Sequence, residues 1–416
     1  MNPQVSSIRQ NPVRNIQRRE RGQTLVMFVL FMVALFLFAG LGIDLGFAYI
    51  TRARLSKAVD SAALAGARNV GQTQPKAIVI ADNAFYVNYG TSSRDVSPPV
   101  PQAAFSNDAA GNLLLGVTAN TTINTFFIRV LPQWSTLTVG SSATALRSKV
   151  VLSLVLDRSG SMSNDLGYVA LPGAVANFID LFYENYDRAS MSSFSYAPST
   201  DVAMETVFKT DIKNKANGLT YDGWTCSERG LTNGLAQNAP VVINLGESVI
   251  KVIVFFTDGL ANTWYYDKFN CGARDMSPDK DLWDPVTGAH EANNCTVPPT
   301  IPSIDPTVGT INTSHECTDM YVESEARARA IATLARSQGI IVYAIGMGDP
   351  SSGFLECGHP PLNPSFLEDL ANTTNAPHYN ASQSQYSGDY AIATDASALN
   401  DVFQTIASKI LLRLTR

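Results

Sequence analysis

Charge is scarce in this chain, and positive charge is scarcer than negative. Only 16% of its 416 residues are Asp, Glu, Lys or Arg, with 30 basic against 36 acidic and a formal net charge of −6. General nucleic-acid binding needs a basic face, so that class is excluded. Histidine is nearly missing. The four (His290, His315, His359 and His378) are scattered, and each reads as surface or packing. There is no G-x-x-x-x-G-K-[ST] phosphate loop, no H-E-x-x-H and no G-x-S-x-G elbow, which argues against nucleotide-binding and hydrolytic enzymes. What is abundant is apolar: 45% of residues, ample for a core, so a mainly disordered chain or a coiled-coil rod is also excluded. The length suggests two to three structural units at roughly 150 residues each.

One absence is local. Residues 24–43 (TLVMFVLFMVALFLFAGLGI) contain no charge at all. As a helix rising about 1.5 Å per residue, this run spans roughly 30 Å, the hydrocarbon thickness of a bilayer. It exceeds the ~7–15 apolar residues of a cleaved secretory signal. The chain then continues with Leu45, Tyr49, Leu55, Val59, Ala62 and Gly66 at helical spacing, which predicts one long helix, membrane-embedded first and amphipathic afterwards. Arg9, Arg14, Arg18, Arg19 and Arg21 precede the span and place the N-terminus in the cytoplasm, against the opposing pull of Arg52, Arg54 and Lys57. All five cysteines (Cys226, Cys271, Cys295, Cys317, Cys357) lie beyond the span, as suits an oxidising compartment outside the cytoplasm. Five is odd, so at least one is unpaired, and the pairing is not readable from spacing.

The run from Arg21 through DLGFAYITRARLSKAVDSAALAGAR resembles the N-terminal region of TadE/TadG-like proteins of the Flp (tight adherence) pilus machinery, over about residues 18–68. That resemblance implies an anchor in a bacterial inner membrane and a part in pilus assembly. The start also resembles a prepilin leader, with Gly22 ahead of the apolar run. Such leaders carry a glutamate at the fifth position after that glycine, where this chain has Met27, so an uncleaved anchor is expected.

Residues 76–89 read as a helix, and 113–120, 121–131 and 135–148 as antiparallel strands of a small α/β middle region. From residue 150 the pattern changes. VVLSLVLD (150–157) is an almost continuous apolar run, as in a strand buried on both faces. Further strand-like runs at 189–196, 202–208, 251–258 and 340–347 join helix-like stretches at 169–186, 227–237, 320–338, 364–372 and 398–414. Such alternation predicts a Rossmann-like doubly wound α/β sheet, with ligands at the carboxyl ends of its strands. The expected organisation is a basic tail (1–21), the transmembrane and amphipathic helix (22–70), the middle region (71–149) and the doubly wound domain (150–416).

Three polar groups fall at or near such strand ends: Asp157, Ser159 and Ser161 in D-x-S-x-S; Thr225 before a helix; and Asp258 in FFTDG. All five offer oxygen, which suits Mg²⁺ first, then Mn²⁺ or Ca²⁺, and not Zn²⁺. Neutral hydroxyls coordinate without cancelling the ion's charge, which leaves it attractive to an outside carboxylate. VLSLVLDRSGSM, GWTCSERGL and VIVFFTDG, in this order, resemble the three blocks of the metal-ion-dependent adhesion site of von Willebrand factor A domains, and the closing segment with DVFQTIASKILLRLT is similar to that family's terminal helix. The resemblance covers about 150–416. It implies that Ser159, Ser161 and Thr225 ligate the ion, that Asp157 and Asp258 act directly or through water, and that a protein partner's acidic side chain completes the octahedron. Trp224 departs from the family's usual small residue before the threonine.

An inserted loop at about 262–318 holds Trp264, Tyr265, Tyr266, Trp283 and three cysteines, and is expected either to recognise a partner or to be a disulfide-stapled decoration. Its acidic run Asp275, Asp279, Asp281 and Asp284 lacks EF-hand spacing and reads as solvated. Together the two resemblances imply a membrane-anchored, non-enzymatic pilus-assembly component, whose partners are other pilus or envelope proteins. The alternatives are a surface adhesin for host or matrix protein and, last, a metal-dependent hydrolase.

Overall fold

The structure is a computed structural model that describes residues 23–71, 73–91, 95–130, 132–164, 166–269, 272–276, 282–283, 301–305, 310–311, 317–351 and 362–413. Its chain contacts divide it into two compact units. One comprises residues 1–56, 89–100 and 119–141; the other comprises 57–88, 101–118 and 142–416.

A single helix, α1 (Gln23–Arg68), runs through 46 residues. An 18-residue stretch of it reaches a mean hydropathy of 2.8 with almost none of its surface buried, so it is long and apolar enough to cross a membrane. In the first unit its buried residues are Gly40, Asp44, Thr51 and Leu55, a one-sided stripe at helical spacing.

In the second unit the end of α1 packs against α2 (Gln74–Tyr89) through small residues. Ala58, Ala62, Ala63, Ala77 and Ala81 are all buried. At Gly66 a Cβ would lie 2.4 Å from the Leu115 side chain, so only a bare backbone fits there. Strands β1 (Gln102–Asn107), β2 (Leu113–Asn124) and β3 (Thr136–Arg147) form a sheet in that order, with β1 and β2 antiparallel. Leu113, Leu115, Val117 and Ala119 alternate inward along β2. The two runs expected as separate strands at 113–120 and 121–131 are thus one strand that ends at Asn124, while 102–107 is a strand the Pro-rich approach concealed. Residues 128–130 and 132–134 are 3-10 turns.

The doubly wound domain follows at once. Its strands are β4 (Lys149–Asp157), β5 (Arg188–Phe194), β6 (Pro198–Glu205), β7 (Val249–Thr257), β13 (Ile340–Met347) and β14 (Asp389–Ala393). They lie in the order β14-β13-β7-β4-β5-β6, parallel except for the antiparallel edge strand β6. Alternate residues of β4 serve opposite faces, which is why the run is almost continuously apolar. Leu152, Leu154 and Leu156 meet α4 (Gly167–Ile179), α5 (Lys209–Asn217) and α9 (Leu399–Leu412). On the other face Val155, with Ile253 and Phe255, meets α6 (Ser227–Asn238), α7 (Cys317–Ser337) and α8 (Pro364–Ala371). A short helix, α3 (Ser161–Asn164), follows β4.

A buried ion pair braces the start of the domain. Arg147 donates two hydrogen bonds to Asp187, at 2.8 and 2.7 Å, and both side chains are within 1% of full burial. Asp187 also accepts from the backbone amides of Val150 and Tyr183.

In the insertion, β8 (Trp264–Phe269), β9 (Gly272–Met276) and β10 (Leu282–Trp283) form one small sheet, and β11 (Ile301–Pro302) and β12 (Thr310–Ile311) form another. Trp264, Met276, Ile301, Ile311 and Met320 make a satellite core there. Asp279, Asp281, Asp284, Cys271, Cys295, Cys357, His290, His315 and His359 lie outside the described residues, as do the side chains of Asp275, Trp283 and Cys317.

Candidate metal centre

The strand order reverses direction between β4 and β7. In an open α/β sheet, the crevice beyond the carboxyl ends of two such strands is where ligands bind. β4 ends at Asp157, and Asp258 directly follows the end of β7. The two carboxylates that the sequence singles out therefore share this switch point.

Tight hydrogen bonding joins the groups. The Asp157 carboxylate accepts from the Ser159 amide at 2.8 Å on one oxygen and from the Thr257 hydroxyl at 2.6 Å on the other. The Ser159 and Ser161 hydroxyl oxygens are 3.0 Å apart, and Ser161 donates to Oδ1 of Asp258 at 2.8 Å. Thr225 joins from a third loop. A Cβ built on Gly259 would sit 3.6 Å from Ser161 Oγ and 4.0 Å from Thr225 Oγ1, so both hydroxyls border the same glycine. All five predicted residues thus gather at one end of the sheet. Asp157, Ser159, Thr225 and Asp258 are buried, and Ser161 is half-buried.

The loops are held by backbone bonds that depend on glycine. Gly160 donates to the Gly223 carbonyl at 2.9 Å, and Asp222 donates to the Arg158 carbonyl at 3.0 Å. Gly223 has φ +84°, and a Cβ there would come within 2.2 Å of the Tyr196 ring. Thr225 is bracketed by Asn262. The Asn262 side chain accepts from the Thr225 amide at 2.7 Å, and its own amide donates to the Thr225 carbonyl at 3.1 Å.

Three residues at the site had no signal in the sequence strong enough to find them: Thr257, Asn262 and Tyr221. The Tyr221 hydroxyl is buried without a hydrogen-bond partner. Burial, and then the charges of Asp157 and Asp258, push its pKa up to about 12. Burial likewise pushes the Asp157 carboxyl up to about 6, against the downward pull of its bonds from Ser159 and Thr257. Half-buried Trp224 flanks Thr225. Cys226, next in line, is fully buried. His378 stands apart, its ring nitrogen 2.8 Å from Asp369.

The donor set fits a small hard cation. Adjacent ligands of an octahedral ion at ~2.0–2.1 Å lie about 2.9 Å from each other, the spacing expected for Mg²⁺. The Ser159–Ser161 and Ser161–Asp258 oxygen separations are 3.0 and 2.8 Å. Among the described residues no three His, Cys, Asp or Glu side chains are grouped as they would be to hold a metal ion.

Residues 22–69 match the family model described as "Putative Flp pilus-assembly TadE/G-like". Comparison with curated proteins finds no match. Among solved structures, the von Willebrand factor domain of the type V pili tip protein of Porphyromonas gingivalis aligns at 15% identity and a TM-score of 0.41, over 65% of this chain and 97% of that one. A pilus adhesin of Lactobacillus rhamnosus GG aligns at 17% identity and a TM-score of 0.41, over 76% of this chain and 34% of that one. Proximal thread matrix protein 1 of the mussel byssus aligns at 16% identity and a TM-score of 0.35 over 64% of this chain, which spans only 46% of the mussel protein. The chain thus carries an N-terminal segment similar to the TadE/G-like family, followed by a doubly wound α/β domain.

Proposed function

We propose that this protein is a membrane-anchored component of a Tad/Flp pilus-assembly system, and that its A-type domain binds a protein partner through a divalent cation. The observation that carries the reading is the gathering of Asp157, Ser159, Ser161, Thr225 and Asp258 at the switch point of the sheet, with the Ser159–Ser161 and Ser161–Asp258 oxygens 3.0 and 2.8 Å apart. In this reading Ser159, Ser161 and Thr225 hold the ion, and Asp157 and Asp258 hold it directly or through water. Mg²⁺ is the first choice, with Mn²⁺ or Ca²⁺ as alternatives. An ion so bound supplies an electrophilic position for an acidic side chain of the partner. The role is binding, without a catalytic step.

The apolar stretch of α1 supports a single-pass anchor, and the arginines before it support a cytoplasmic N-terminus with the A-type domain outside the cytoplasm, at a bacterial inner membrane. Partner capture from envelope extracts, with and without EDTA, tests the proposal. Capture should be lost on chelation, restored by Mg²⁺ and absent in Asp157→Ala. Capture that survives both chelation and that substitution contradicts it.

A further inference from the structure

The turn that joins β2 to β3 shows apolar residues where a soluble loop would show polar ones. Phe126 is 63% exposed, Val130 74% and Trp134 49%. Phe127, 42% exposed, lies against α1, where a Cβ on Gly40 would come within 2.5 Å of it. Gly40 belongs to the charge-free run 24–43 that measures a bilayer's hydrocarbon thickness. The turn therefore touches the helix inside that run rather than beyond it. On the rest of α1 the exposed apolar surface continues past this level through Leu45, Tyr49 and Ile50, and the next charges after Asp44 are Arg52 and Arg54.

Backbone chemistry points the same way. Irregular backbone at membrane depth is tolerated only where its polar groups are satisfied internally. Asp44, itself buried, accepts the amides of Phe126, Phe127 and Ile128, each at 2.8 Å. The Val130 amide donates to the Phe127 carbonyl, the Thr125 amide to the Ser135 carbonyl, and the Thr125 hydroxyl to the Trp134 carbonyl. The same three bonds offset the charge of Asp44 within the apolar part of the helix. Arg129, exposed between the apolar residues, has a side chain long enough to reach headgroup phosphates.

We propose that the turn joining β2 to β3 is a second membrane contact, a foot whose Phe126, Val130 and Trp134 enter the boundary between headgroups and acyl chains beside α1. The occupant of this apolar surface is the lipid bilayer that α1 itself crosses. The surface is continuous with the exposed apolar flank of the helix, and aromatic residues concentrate at that depth. The foot would fix the tilt and rotation of the helix at its exit from the membrane. This inference rests on reading α1 as a spanning helix.

A test uses the full chain in vesicles of phosphatidylcholine and phosphatidylglycerol, with and without bromine on the acyl chains near the carbonyl end. An environment-sensitive fluorescent amino acid is placed, one position at a time, at 126, at 130, at Phe36 within the span and at Tyr386 as a solvent-exposed control. Bromine should quench positions 126 and 130 to within about twofold of position 36, and leave position 386 unchanged. Quenching at 36 without quenching at 126 and 130 overturns the foot and leaves the anchor standing. If 36 is also unquenched, the spanning helix itself fails, and the foot with it. Position 130 guards against a perturbed fold at 126, because Val130 is the more exposed of the two.

Discussion

The Ser161 hydroxyl donates to Oδ1 of Asp258 at 2.8 Å, across 97 positions of the chain. That bond joins the turn after β4 to the turn after β7 at the point where the sheet reverses direction. Near it stand a second buried carboxylate, Asp157, and the hydroxyls of Ser159 and Thr225.

Binding of an ion there should appear as stability. A ligand held only by the folded state stabilises it by about 2.7 kcal/mol at one hundred times its dissociation constant. Mg²⁺ added to the EDTA-treated full chain in detergent should therefore raise the unfolding midpoint of the doubly wound domain, and chelation should reverse the rise. The Asp258→Ala variant should show no Mg²⁺-dependent shift in calorimetry.

Gly223 holds the loop that carries Thr225. Its φ of +84° and the Tyr196 ring 2.2 Å from a Cβ position leave no room for a side chain. Gly223→Ala should lower the domain's stability by about 1–3 kcal/mol and weaken Mg²⁺ binding as well, because the Gly223 carbonyl fixes the Gly160 amide. Chemical denaturation and ion titration on one preparation check both effects.

How much of this centre could be read in advance differs from residue to residue. Asp157, Ser159 and Ser161 were legible because alternate positions in a tight turn after a strand can face one point. Asp258 was legible because it follows a strongly apolar strand. Thr257, Asn262 and Tyr221 were not, since their roles come from packing across separate loops. The doubly wound fold was visible in the strand–helix alternation, but α5, β14 and the antiparallel sense of β6 were hidden. Short edge strands such as β14 carry little apolar signal of their own. The FFIRVL stretch reads as a strand, yet its first three residues give their amides to Asp44, which no ladder pairing permits.

The Arg147–Asp187 pair is fully buried and bidentate. Removing one partner strands the other charge away from water. Asp187→Ala should destabilise the doubly wound domain by roughly 3–5 kcal/mol, seen as a lower denaturation midpoint.

A pH effect should come from Glu325. Burial raises its pKa above the ordinary 4.5, outweighing the downward pull of Asn363 and Arg329, and Asp369 adds to the rise. Between the ordinary and the raised value the folded state holds more protons than the unfolded one, so this group's share of the stability is full below pH 4.5 and falls as pH rises. Glu325→Gln should remove that fall. The stability difference between variant and native protein, measured by thermal melts from acid to neutral pH, should shift in favour of the variant as pH rises. A difference independent of pH would contradict the assignment.

The most direct measurement of the central claim is a count of bound Mn²⁺ by electron paramagnetic resonance, on the full chain and on a Ser161→Ala, Asp258→Ala double variant. The account predicts one ion per native chain, displaced by Mg²⁺, and none in the variant. Equal binding by the two proteins, or no binding by the native chain, would contradict it.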